Sequence, residues 1–268
     1  MMKYRYGIIG TGNMGGALAR ALAKKVPAER MILSNRTPEK AQKLADELGA
    51  ACGSNRDAAA MAQCILLAVK PQVMPAVLAD LQPILAERED VLLVTMAAGK
   101  TMKSVCTMAG RQCPVIRIMP NTPAEIGRGV ILTARNSLVD DEAFSIFHED
   151  LADAGTLVDL EEEQIDAASV ISGCGPAYIF MFINAMKKAG ISLGLPEQMA
   201  QTLAEATAAG SALLSIKSGE DLDVLTDNVC SPGGSTIEGV KSFRKDDLDA
   251  VTQRALKAAY DRTLELSR

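Results

Sequence analysis

The stretch Gly10-Thr11-Gly12-Asn13-Met14-Gly15 constrains the fold of this chain more than any other. It follows the short apolar run Tyr6-Gly7-Ile8-Ile9 and precedes Ala17-Leu18-Ala19-Arg20-Ala21-Leu22-Ala23, whose composition favours helix. Strand, glycine turn and helix in that order are the context a dinucleotide-binding fingerprint requires. Gly10 permits the tight turn, Gly12 lets the backbone approach a pyrophosphate, and Gly15 lets the helix pack closely on its strand. The free amides at the start of the helix then face the phosphates. Three glycines also suit any tight turn in a parallel sheet, so the rest of the chain has to decide between the two.

Met31-Ile32-Leu33 reads as a second strand, and Thr37-Pro38-Glu39-Lys40 as the cap and first turn of a helix ending at Leu48. The unit is βαβ with a parallel sheet. Where an NAD site places an acidic residue after the second strand, this chain has Ser34-Asn35-Arg36. A guanidinium with small polar neighbours suits a 2′-phosphate, which favours NADPH and leaves NADH open; an ordinary surface arginine is the alternative. Cys64 to Val69 and Val91 to Met96 are apolar runs of buried-strand length. They end in Lys70-Pro71 and Ala97-Ala98-Gly99, on the sheet edge where open α/β sheets bind ligands. Val115 to Met119 gives a further strand, and Pro120-Asn121-Thr122-Pro123 a rigid turn at the same edge. Val130 to Thr133, a helix from Asp141 to Ala154 and a strand from Thr156 to Leu160 complete this part.

Composition removes several chemistries. His148 is the one histidine of 268 residues, in a segment that reads as an amphipathic helix, so histidine-based triads and metal sites have no material. The six cysteines form no C-x-x-C pair, which predicts reduced, mostly buried thiols and no metal. A net charge of −5 without a dense basic run argues against nucleic acid. No uninterrupted apolar run reaches the ~18 residues of a membrane span. These features predict a cytoplasmic protein.

After the acidic cluster Glu161-Glu162-Glu163 the pattern changes. Tyr178 to Ala189, Pro196 to Lys217 and Asp247 to Ser267 are alanine-rich and lack strand alternation, which predicts a helical domain. With few aromatics, such a domain completes its core against a second copy, so at least a homodimer is expected. The fold class is therefore α/β: a Rossmann-type dinucleotide-binding domain over residues 1–160, then an all-α substrate-binding and dimerisation domain over 161–268. Two glycine-rich bends interrupt the helices, Ser172 to Tyr178 and Cys230 to Thr236. The second places free amides and two hydroxyls at a helix start, a receptor for a carboxylate, although a plain helix cap is the simpler use.

The motifs at Gly10 to Gly15, Ala68 to Pro71, Met119 to Pro123, Ser172 to Tyr178 and Ser231 to Thr236 together resemble pyrroline-5-carboxylate reductases over nearly the whole chain. The resemblance implies hydride transfer from NAD(P)H to the C=N bond of 1-pyrroline-5-carboxylate, giving L-proline, in a Rossmann domain followed by a helical domain interleaved with its dimer partner. It implies cofactor contacts from Gly10, Thr11, Gly12, Asn13, Met14, Gly15, Ser34, Arg36, Asn55, Ala68, Val69, Lys70, Pro71, Ala97, Ala98 and Gly99; the residue reading adds Asn35. It matches Glu162, Asn228, Ser235 and Thr236 to the substrate site, with Asn228 also within the cofactor's range. Cys174 stands where the family commonly has serine, and Ser235 where threonine or alanine is usual; both are small.

The chemistry expected from this pattern is simple. Amides at Gly234, Ser235 and Thr236 hold the substrate carboxylate, and the Thr236 hydroxyl, the candidate catalytic group, hydrogen-bonds the ring nitrogen. No histidine is at hand as acid, and an imine nitrogen arrives protonated or takes a proton from water. Two other readings fit parts of the sequence. A small hydroxy-acid dehydrogenase shares the layout but commonly uses a lysine on the first long helix of its second domain. Here Lys187 and Lys188 fall late on that helix. A non-catalytic dinucleotide-binding regulator would keep the glycine turn and have no use for the Ser231 to Thr236 loop.

Overall fold

The computed structural model describes residues 3–266. Ser267, the expected end of the last helix, lies outside them. Eight strands form one sheet: β1 (Tyr4–Ile9), β2 (Met31–Ser34), β3 (Ala51–Cys52), β4 (Ala62–Leu67), β5 (Leu92–Thr95), β6 (Val115–Pro120), β7 (Gly129–Arg135) and β8 (Gly155–Asp159). Their order is β3-β2-β1-β4-β5-β6-β7-β8. The reversal between β1 and β4 is the switch point at which open α/β sheets bind nucleotides, and the glycine turn leaves β1 there.

Six helices connect these strands: α1 (Asn13–Leu22), α2 (Pro38–Leu48), α3 (Asn55–Met61), α4 (Met74–Ala86), α5 (Met102–Ala109) and α6 (Asp141–Leu151). Alternate residues of the strands feed two cores on opposite sheet faces. Ile9, Ile65, Leu67 and Val115 pack with Leu78, Leu81 and Val105 of α4 and α5. Ile8, Leu33, Leu66 and Ile116 pack with Leu18, Leu22 and Phe147 of α1 and α6. Burying one such side chain contributes about 1.5–3 kcal/mol. On the α6 side, Tyr6 Oη donates to Asp150 Oδ2 at 2.7 Å and Arg5 approaches the same oxygen at 2.6 Å.

Two expectations change, and two elements are added to those read from the sequence. The sheet is not all parallel: β7 runs antiparallel to β6, because the short 3-10 turn Thr122–Ile126 between them cannot carry a crossover. β3 and α3 have no strand or helix periodicity to announce them; α3 instead starts at a capping box between Ser54 and Asp57. Of the six free thiols, Cys64, Cys106 and Cys113 are buried, while Cys52, Cys174 and Cys230 are half-buried.

The sheet ends at Asp159, and among the described residues after it the regular elements are helices: α7 (Ile165–Ser172), α8 (Gly175–Ser192), α9 (Glu197–Ser218), α10 (Leu222–Val229), α11 (Ser235–Lys245) and α12 (Leu248–Leu266). The compact unit built on the sheet extends through α7 to Cys174 and takes in the chain from Tyr260, whereas Gly175–Ala259 form a second unit. The domain boundary read at residue 160 thus marks the change of secondary structure, and compactness divides the chain at Cys174.

In the second unit α8 packs along α9, with Ala200 and Ala204 buried and Phe182 beside Phe243. Most of its large apolar side chains remain exposed, among them Phe180, Met181, Leu193, Leu213, Ile216 and Leu222. Within Glu162–Ser192 lies an 18-residue window long and apolar enough to cross a membrane by length and composition, of which 11% is buried. The turn at Gly173–Cys174 divides that stretch into α7 and α8.

Candidate active site

Each glycine of the opening turn has its own geometric reason. Gly10 has φ +106°, and a Cβ there would come within 2.5 Å of the Ala68 carbonyl oxygen. A Cβ on Gly15 would overlap the Gly10 carbonyl oxygen. Gly12 differs: nothing lies within 4 Å of a Cβ built on it, so its missing side chain leaves open space in front of α1. It is also the N-cap of α1 and supplies no side-chain cap, which leaves the first amides of that helix without an internal partner. Thr11 Oγ1 is buried with no hydrogen-bond partner among the described residues. Uncapped amides, an orphaned hydroxyl and a cleared space form a cradle suited to a pyrophosphate.

The turn is tied to the strand beside it. Gly10 N–H donates to Ser34 O at 2.8 Å, and Thr11 N–H to Asn35 Oδ1 at 3.3 Å. Asn35 Nδ2 donates onward to Thr37 O at 3.1 Å. Ser34 is buried, and its hydroxyl is shared between Ile8 O and Asn55 Oδ1, so it orients Asn55 rather than facing open space. Arg36 is exposed and makes no hydrogen bond or ion pair among the described residues. Asn35, Cys52, Ser54, Asn55 and Arg56 border an open hollow of about 480 Å³. The guanidinium and the amide-lined hollow fit the 2′-phosphorylated ribose end of a dinucleotide.

Further along the same edge, Ala68 N–H donates to Ile9 O, which fixes the half-buried Ala68 and Val69 beside the turn, with Lys70 exposed and Pro71 half-buried. After β5, Ala97 and Gly99 are buried and Ala98 is exposed, with Gly99 at φ +70°. Asn121 is spent on structure: its amide donates to Ser172 O and accepts Val130 N–H, both at 2.8 Å, which fastens α7 to the β6–β7 turn.

Glu162 stands at the entry to α7 in the same unit. Its Oε1 accepts the N–H of Met102 at 2.6 Å and lies 3.5 Å from Nη1 of Arg117. Arg117 Nη2 donates to Asp166 at 2.7 Å. Arg117, Asp166 and the Met102 amide were not among the residues read from sequence, yet an arginine within Val-Ile-Arg-Ile-Met was the available signal.

In the second unit, Asn228, Gly234, Ser235 and Thr236 share the corner between α10 and α11. Asn228, Ser235 and Thr236 are exposed. Gly233, at φ +71°, turns the chain, and α11 starts after Gly234 with no side-chain cap. One expected donor is lost: Gly234 N–H is taken by Ser231 O at 3.0 Å. The amides of Ser235 and Thr236, in the uncapped first turn, and the Thr236 hydroxyl remain to meet an anion.

Comparison with known proteins decides the family. A pyrroline-5-carboxylate reductase of Pseudomonas aeruginosa is 37% identical over 98% of this chain and 97% of its own length. The chain belongs to the pyrroline-5-carboxylate reductase family. The family model for pyrroline-5-carboxylate reductase dimerisation matches residues 162–266, and that for coenzyme F420-dependent NADP oxidoreductases matches residues 5–99. The structure of the reductase from Coxiella burnetii aligns with a TM-score of 0.93 at 30% identity, over 99% of each chain. That of the Plasmodium falciparum reductase, with NADP bound, aligns with a TM-score of 0.87 at 28% identity over the full length of both. As in other pyrroline-5-carboxylate reductases, a Rossmann-like domain precedes an all-α dimerisation domain here.

Proposed function

We propose that this protein reduces 1-pyrroline-5-carboxylate to L-proline with NADPH, the last step of proline biosynthesis, as a homodimer or a larger assembly of dimers. The observation that carries the reading is the full-length match to reductases of this family, including the loop Ser231 to Thr236 that a general dinucleotide-binding protein would not need. NADH remains a usable donor, because the cradle at Gly10 to Gly15 is common to both dinucleotides.

In this reading Thr11, the first amides of α1, Asn35, Arg36 and Asn55 hold the cofactor's phosphates and ribose, and Ala68 to Pro71 and Ala97 to Gly99 line the path toward its nicotinamide. NADPH, when bound, supplies the hydride that reduces the imine carbon. The amides of Ser235 and Thr236 bind the substrate carboxylate, helped by the helix dipole. The Thr236 hydroxyl orients the ring nitrogen, Asn228 and Glu162 complete the substrate's polar contacts, and the proton on nitrogen comes with the substrate or from water. The residues thus act mainly by orientation. The exposed apolar side chains of α8 to α10 cover one another in the dimer, which explains their exposure in one chain without a membrane. A cytoplasmic location follows from this reading.

The test is oxidation of NADPH by the purified protein with pyrroline-5-carboxylate, against a panel of hydroxy and keto acids, with proline as the product identified by mass. Turnover confined to the hydroxy or keto acids would favour the dehydrogenase alternative, and binding of NADPH without turnover would favour the regulator.

A further inference from the structure

Arg117 is 2% exposed in the middle of β6, paired across the sheet with Thr95 of β5 and Ala134 of β7. A guanidinium so placed has to be matched by carboxylates, and two face it: Asp166 at 2.7 Å and Glu162 at 3.5 Å. Its Nε is buried without a partner among the described residues. The two terminal nitrogens of the fork thus face two acids four residues apart, while Nε is left unsatisfied.

The Glu162 oxygen that faces Arg117 is the one that accepts the Met102 N–H, at 2.6 Å. Met102 is the first residue of α5, so the carboxylate takes that helix's first amide, while Thr101, the N-cap, accepts Ser104 N–H in the same first turn. The segment between β5 and α5 is thereby held at both ends. At its near end Ala97 N–H donates to Thr95 Oγ1 at 3.3 Å and Lys100 N–H to Ala97 O at 3.2 Å. At its far end the restraints are the Thr101 cap and Glu162, and Glu162 lies 3.5 Å from the Arg117 guanidinium.

We propose that Arg117 is a positioning residue for the reduction. It acts through Glu162 and the Met102 amide to set the place of Ala97 to Gly99, the segment that faces the nicotinamide end of the cofactor. The effect on turnover rests on the reductase reading above; the effect on the loop does not. Lysine is a poor substitute, because one ammonium serves one carboxylate where the planar fork serves two.

The experiment compares the wild type with R117K, R117Q, E162Q and the double variant R117Q/E162Q. The first readout is hydrogen exchange at the Met102 amide without any ligand. The second is the split between kcat and the KM for NADPH, together with the isotope effect of NADPH deuterated at C4. The Met102 amide exchanges slowly in the wild type and about tenfold faster in R117Q and R117K. In the same variants kcat falls about tenfold or more, NADPH KM stays within about threefold, and the isotope effect on kcat rises as hydride transfer becomes limiting. The losses in R117Q and E162Q do not add in the double variant, as expected for residues acting in series.

Wild-type exchange at Met102 in folded R117K or R117Q overturns the link between Arg117 and the loop. A freed Met102 amide with unchanged kcat overturns its bearing on the reaction, as do additive losses in the double variant. Thermal melting separates misfolding from mispositioning, and R117K, which keeps the charge beside Asp166, carries the comparison if R117Q does not fold. A wild type that fails to reduce pyrroline-5-carboxylate sinks the reductase reading, while the exchange arm still decides the link to the loop.

Discussion

The side chain of Asn35 accepts the backbone N–H of Thr11 at 3.3 Å and donates to the carbonyl of Thr37 at 3.1 Å. It joins the phosphate cradle after β1 to the loop that carries Arg36 after β2. Removing the strut leaves two backbone groups without that partner, a loss of about 1–2 kcal/mol, or roughly 5- to 30-fold in affinity. Asn35→Ala therefore weakens NADPH and NADH by similar factors, because the turn it holds is common to both. Dissociation constants from cofactor fluorescence check this, and a loss confined to NADPH would show that Asn35 belongs to the phosphate site alone.

Arg36 has the opposite signature. It is exposed and has no hydrogen bond or ion pair among the described residues, so replacing it breaks none of these. A charged hydrogen bond to a phosphate contributes about 1.5–3 kcal/mol. Arg36→Ser raises the NADPH dissociation constant about 10-fold or more and leaves NADH within about twofold. Equal loss for both cofactors would assign Arg36 to the surface.

The first unit was legible in sequence wherever periodicity and turn chemistry agreed. The strand before Gly10, Pro38 at the start of α2, and the apolar runs at Cys64 and Val91 all became the expected elements within a few residues. Short elements such as Ala51–Cys52 carried no pattern to read, and the reversal of β7 depended on the length of a turn rather than on the strand's own residues. At the site, backbone receptors were easier to read than side-chain partnerships. Glycines announce a cradle, whereas the approach of Arg117 to Glu162 joins residues far apart in sequence and exists only after the sheet and α7 are packed. The engagement of Gly234 N–H by Ser231 O was likewise a matter of one local turn that residue types did not specify.

Thr236 supplies the hydroxyl next to an uncapped helix start and is exposed, so its removal should spare the fold. Loss of one oriented hydrogen bond to the reacting ring costs about 1.5–3 kcal/mol if the nitrogen is charged. Thr236→Ala lowers kcat/KM for pyrroline-5-carboxylate about 10- to 100-fold with NADPH binding unchanged, and Thr236→Ser restores most of it. Wild-type kinetics in the alanine variant would remove Thr236 from the mechanism.

Gly12 and Gly15 separate cofactor binding from folding. An alanine at Gly12 meets nothing within 4 Å in the protein, but its methyl enters the space in front of α1. Gly12→Ala keeps a melting temperature within about 2 °C of the wild type and loses most NADPH affinity. An alanine at Gly15 runs into the Gly10 carbonyl and the Ala68 side chain. Gly15→Ala therefore lowers stability itself, by about 1–3 kcal/mol as an overpacked site. Melting curves with and without NADPH distinguish the two, and a destabilised Gly12→Ala that still binds NADPH would contradict the cradle.

The buried thiols set a limit to stability at high pH. Burial pushes Cys113 up to about 12, with Cys106, whose sulfur is 3.9 Å away, adding to the shift. Burial likewise raises Cys64, and it holds the Tyr6 hydroxyl well above its usual range beside Cys64 and Asp150. An exposed thiol in the unfolded chain titrates at about 8.5. The folded state thus keeps protons that the unfolded state releases, and the resulting stability is fully present below pH ~8.5 and lost as pH rises toward the folded value. Urea midpoints measured from pH 7.5 to 10.5 should fall steadily above about 8.5. In Cys113→Ala the slope should be shallower, since one of the retained protons is gone; the same slope in both proteins would mean that Cys113 titrates in the fold as it does in the unfolded chain.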